Sequence, residues 1–101
     1  MRSYLICDDK DTLIGMRLGG IEGVLVNTRK DILDQLKKVL SDDSVGIVII
    51  TESILLMAED EIMKIKLERE YPLITAIPGR DVKKREDYIS KYIRESIGIK
   101  I

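Results

Sequence analysis

Apolar residues recur along the chain in two forms, short runs and stripes at helical spacing, and the two alternate. Tyr4-Leu5-Ile6-Cys7 is a short run ended by Asp8 and Asp9, and it predicts a first strand. Asp11 is placed to cap a helix over Thr12 to Leu18, which Gly19 and Gly20 stop. Ile21 to Val26 predicts a second strand, broken by Gly23. Asn27 and Thr28 then cap an amphipathic helix whose apolar positions are Ile32, Leu33, Leu36, Val39 and Leu40. After the polar loop Ser41-Asp42-Asp43-Ser44, the run Val45 to Ile50 is apolar on both faces, as a central parallel strand reads. Thr51 suits the cap of a helix that keeps Ile54, Leu55, Ala58, Ile62 and Ile65 on one side as far as about Glu70. Pro72 to Ile77 is a fourth strand, closed by Pro78 and Gly79. A last stripe, Ile89, Tyr92, Ile93 and Ile97, predicts a terminal helix over about Lys84 to Ile97.

The order is βαβαβαβα. Strands separated by helices pair in parallel through right-handed crossovers. The expected fold is α/β: a four-stranded parallel Rossmann-like sheet with helices on both faces, plus a C-terminal helical arm. Ile6, Val24, Val26, Ile47, Val48, Ile49, Ile74 and Ile77 should line the sheet, with Leu36 and Ile62 packed on it. The charge balance changes at Gly79. Residues 80–101 hold seven Lys/Arg against four Asp/Glu, whereas residues 1–79 hold ten against fourteen. The boundary therefore divides a Rossmann-like domain, 1–79, from an amphipathic arm, 80–101. The arm's helix has two possible seats, its own sheet or the helices of another protein.

Composition narrows the function classes. With 101 residues the chain is one small domain, and 45% apolar against 35% charged residues argues for a packed core. A net charge of −1 offers no general affinity for phosphate backbones, so no nucleic-acid partner is expected. There is no His and one Cys, which excludes His-based acid–base chemistry and an internal disulfide and argues against zinc. No apolar run approaches a membrane span, and Arg2 soon meets Asp8 and Asp9, unlike a signal peptide, so a soluble intracellular domain is expected.

Candidate chemistry is sparse. Asp8 and Asp9 close a strand at the carboxyl edge, where α/β folds place their sites. The pair resembles the magnesium pocket of phosphorelay receiver domains, but the third strand ends Ile50-Thr51-Glu52, without the phosphoaccepting Asp. Turn chemistry explains the two acids. Gly15 and Gly20 have phosphate-loop spacing but are followed by Ile21 and Glu22 in place of Lys and Ser/Thr, and Gly15 lies inside the helix. Cys7 reads as a small buried hydrophobe. Met57 and Met63 read as core filler or a soft partner surface, and Glu59, Asp60 and Glu61 as a solvated face. No catalytic, metal or cofactor residue is assigned.

Three stretches together resemble the F subunit family of the V-type and A-type ATP synthases. Asp11 to Gly23 is similar to that family's D-T-x-x-G-F-R-L-A-G-I-x-G segment, with Met16 for Phe and Gly19 for Ala. Gly46-Ile47-Val48-Ile49-Ile50-Thr51-Glu52 resembles its G-I-I-L-I-T-E strand, and Pro72 to Gly79 resembles its P-x-I-x-x-I-P-G strand and stop. The resemblance implies a non-catalytic rotor component of the central stalk, without cofactor. It would bind the stalk's D subunit, a long coiled coil, and reach the catalytic A/B hexamer through the C-terminal helix. It would link indirectly to the membrane rotor sector, from a cytoplasmic position peripheral to the membrane. Hydrolysis or synthesis of ATP would thereby be coupled to proton or sodium movement. The candidate partner-binding residues are Arg85, Ile89, Tyr92, Ile93 and Ile97. The alternative is a flavodoxin-like regulatory or signalling domain with a small ligand at the carboxyl edge, near Asp8 and Thr51.

Overall fold

The computed structural model describes residues 1–79. The elements are β1 (Arg2–Cys7), α1 (Lys10–Leu18), β2 (Glu22–Leu25), α2 (Arg29–Leu40), β3 (Val45–Thr51), α3 (Glu52–Met57), α4 (Glu59–Glu68) and β4 (Leu73–Ile77). The four strands form one sheet in the order β2-β1-β3-β4, all parallel. The expected α/β sheet is present, with β1 and β3 in the centre. The predicted terminal helix lies outside the described residues.

Three local outcomes differ from the sequence expectation. The first helix starts two residues earlier, because Asp9 and not Asp11 caps it: one Asp9 carboxylate oxygen accepts the Thr12 backbone N–H at 2.6 Å, the other the Thr12 hydroxyl at 2.7 Å. The long third helix is two helices, broken at Ala58, whose φ of −136° and ψ of 37° interrupt the turn. Thr51 stands at the cap position of α3 but makes no capping bond, since its hydroxyl is engaged with Asp8 and Ser53. The stop at Gly19 and Gly20 is as expected. Gly20 has φ +88°, and the N–H groups of Gly20 and Ile21 donate to the carbonyls of Arg17 and Met16, each at 3.0 Å.

The helices divide unequally between the two faces. Paired residues of a parallel sheet share a face, so Tyr4, Val48 and Ile74 lie on one side and Leu5, Ile49 and Thr75 on the other. The first side carries the main core: Ile6, Val48, Ile50 and Ile74 pack with Ile32, Leu36 and Val39 of α2, Ile54 and Leu55 of α3, and Ile62 of α4. The second side is served by α1. Gly23 lies beneath it, with an added Cβ meeting Leu5 Cβ at 2.8 Å and Leu13 Cδ1 at 3.1 Å. Gly23 therefore does not break β2; it lets α1 settle on the sheet. This division is what right-handed crossovers require, since β1 to β2 steps one way and the later connections step the other.

Candidate functional site

The carboxyl edge is where an α/β sheet of this kind would hold a ligand. Here β1 and β3 end side by side, which brings Asp8 to the start of α3. Asp8 Oδ1 accepts the Ser53 hydroxyl at 2.8 Å and, more loosely, the Thr51 hydroxyl at 3.5 Å. Thr51 and Ser53 are buried and lie 3.2 Å apart, oxygen to oxygen. Asp9 is committed to the α1 cap. Cys7 is buried; loss of solvation raises its pKa, and its thiol lies 3.5 Å from the Asp9 carbonyl oxygen. The last described residue, Gly79, returns to this edge: a Cβ built on it would lie 3.7 Å from Asp9 Oδ2 and from Thr51 Cβ.

The chemistry of this edge is that of a clasp. Asp8 ties the β1–α1 loop to α3, and Asp9 orders the first turn of α1. Thr51 occupies the strand end where a receiver domain would need its phosphoaccepting Asp. Among the described residues no group of three or more His, Cys, Asp or Glu side chains is arranged to hold a metal. The sequence brought Asp8 and Thr51 together correctly. It missed Ser53, because one Ser after a strand carries no pattern of its own.

The opposite edge holds a feature the sequence did not announce. Arg2 bridges three elements: Nη1 reaches Glu22 at 2.9 Å, Nη2 reaches Asp42 at 2.6 Å, and Nε donates to Ser44 Oγ at 3.0 Å. Beside it lies a pocket of about 180 Å³ lined by Tyr4, Glu22, Gln35, Lys38 and Asp42 among others. Arg2's partners are 20 to 42 residues away in the chain, so no local motif could reveal them. The ion pairs make this edge a tie between β1, β2 and the α2–β3 loop.

Comparison with known proteins decides what the fold alone leaves open. The ATP synthase (F/14-kDa) subunit family matches residues 5–97. The chain belongs to that family. It is 32% identical over 99 residues to the F subunit of the A-type ATP synthase of Methanosphaera stadtmanae, covering 95% of this chain and 92% of the relative. Its fold is shared by the F subunit of the V-type ATP synthase from Archaeoglobus fulgidus, with a TM-score of 0.58 and 24% identity, covering 75% of this chain and 95% of that one. No helix among the described residues is long and apolar enough to cross a membrane. The candidate partner-binding residues Arg85, Ile89, Tyr92, Ile93 and Ile97 lie outside the described residues.

Proposed function

We propose that this chain is a non-catalytic central-stalk component of a V-type/A-type ATP synthase. In this reading it binds the coiled-coil D subunit, turns with it inside the A/B hexamer and couples ATP hydrolysis or synthesis to proton or sodium translocation. Its place is cytoplasmic and peripheral to the membrane. The observation that carries the reading is the family match over residues 5–97, nearly the whole chain. The carboxyl edge supports it: Asp8, Thr51 and Ser53 bond one another and Asp9 caps α1, which is fold-holding chemistry. Residues 1–79 form the body and residues 80–101 the arm. Arg85, Ile89, Tyr92, Ile93 and Ile97 supply the partner contact, the apolar stripe giving affinity and the cation setting register.

The test is reconstitution. The chain is mixed with the D subunit and the A/B hexamer, and assembly and ATPase rate are followed by size exclusion and a coupled assay. A ternary complex with an altered rate is expected, and the chain alone should release no phosphate from ATP. Failure to join the D subunit in any mixture overturns the reading.

A further inference from the structure

The pocket beside Arg2 forms where the last turns of α2 lie over the amino ends of the strands. Gln35, Lys38 and Val39 recur at helical spacing, which puts them on one face of α2. They meet Tyr4 of β1 and Val45 of β3 around a space of about 180 Å³. The polar groups lining it are of two kinds. Glu22 and Asp42 are already engaged: both bind Arg2, at 2.9 and 2.6 Å, and Asp42 also accepts the Ser44 N–H and hydroxyl. The Tyr4 hydroxyl, the Gln35 carboxamide and the Lys38 ammonium make no hydrogen bond or ion pair among the described residues. The pocket's free capacity therefore lies on the donor side. An ammonium only donates, an amide nitrogen donates, and a phenol has a proton to give. Burial raises the Tyr4 pKa and the nearby Glu22 adds to it, so that proton is held firmly.

We propose that this pocket binds a small carboxylate anion with a short aliphatic tail, the carboxylate on Lys38, Tyr4 and Gln35 and the tail against Val39 and Val45. The site is independent of the stalk reading and gives the amino edge of the sheet a role of its own. Size, charge and apolar lining select this class of ligand. A volume of about 180 Å³ is about six waters at roughly 30 Å³ each, room for about six non-hydrogen atoms. It falls well short of the roughly 300–1,000 Å³ that larger organic ligands occupy, so a nucleotide does not fit. The charges around the space cancel, Arg2 and Lys38 against Glu22 and Asp42. The carboxyl end of α2 adds partial negative charge, which Lys37 and Lys38 in its last turn offset. One negative charge is therefore accommodated, whereas the second charge of a phosphate would meet the acids that Arg2 already neutralises. Val39 and Val45 are buried and supply an apolar wall. A bare inorganic anion would leave that wall in contact with water, and an aliphatic tail would cover it.

The experiment is a titration of the isotope-labelled full chain, followed through its amide chemical shifts at constant ionic strength. The probes are sodium butyrate, butyramide and inorganic phosphate. Butyrate should move the Tyr4, Gln35 and Lys38 amides saturably, with a dissociation constant on the order of 1 mM. Lys38→Met and Tyr4→Phe should each weaken it about tenfold or more, the scale of a lost hydrogen bond to a charged group. Lys38 is exposed, and neither lost group has a partner among the described residues, so both variants should melt with the parent. Lys30→Met makes the same charge change at the other end of α2 and should bind butyrate as the parent does. No saturation by about 50 mM butyrate overturns the site, and so does equal weakening by Lys30→Met, which would reduce the effect to overall charge. Butyramide binding as tightly as butyrate overturns the anion, and phosphate binding as tightly overturns the aliphatic carboxylate. Binding to the D subunit plays no part in this readout, so failure of the stalk reading leaves the result standing.

Discussion

Ile49 and Ile50 are neighbours in β3 with identical side chains and unlike surroundings. Ile50 is 1% exposed among the helices of the main core, whereas Ile49 faces the α1 side and is half-buried. Truncation of Ile50 to Ala should cost about 3–4 kcal/mol, and of Ile49 about 1–2 kcal/mol, read by urea unfolding. Sequence reading weighted both faces of β3 equally because an all-apolar run has no period from which to tell them apart. Asp42 shows a different single-residue effect. The Ser44 hydroxyl and backbone N–H, with the Arg2 guanidinium behind them, hold its carboxyl below the usual carboxylate range. A folded pKa below the unfolded one gives stability that is present above the ordinary Asp pKa and lost as pH falls through the lowered value. Thermal melts between about pH 5 and pH 2 should therefore show a shallower acid limb for Asp42→Asn than for the parent chain.

At the scale of elements, the legible features were those written in local chemistry. Gly19 and Gly20 terminate α1 through a left-handed residue and backbone bonds, and Thr28 caps α2 by accepting the Asp31 N–H at 3.2 Å. What stayed hidden depends on tertiary contact. Asp9 and Asp11 are equally good caps in sequence; the position of β1 next to Asp9 selects the former. Ala58 is a strong helix former, yet the helix breaks there, at a residue 1% exposed within the core. Arg29 of α2 pairs with Glu61 just after that break. Asp9→Ala should cost about 1–2 kcal/mol through the lost cap. Gly23→Ala should also destabilise, by about 1–3 kcal/mol, because the Leu5 carbonyl oxygen would lie 3.0 Å from the new Cβ and backbone yields little. Both are read by chemical denaturation, and a neutral Gly23→Ala would mean that α1 does not press on β2 as described.

For the whole molecule, the unequal cover of the sheet separates what holds the body together from what the arm adds. Among the described residues, the main core cluster runs from Ile6 of β1 to Ile74 of β4. The exposed side of α1 adds little to it: Ile14 is 54% and Leu18 86% exposed, and no α1 residue is fully buried. The site residues were the least legible part of the chain. A stripe at helical spacing reports that a face is buried and not against what, so Ile89, Tyr92, Ile93 and Ile97 fit a sheet and a coiled coil equally well. Removing residues 80–101 separates these roles. The shortened chain should keep a cooperative unfolding transition, because it retains the core cluster of the described residues. Mixed with the D subunit and the A/B hexamer, it should lose the effect on ATPase rate. Calorimetry and the coupled assay read the two outcomes independently. A non-cooperative melt would make the arm part of the domain's own core, and an unchanged rate would remove it from the coupling path.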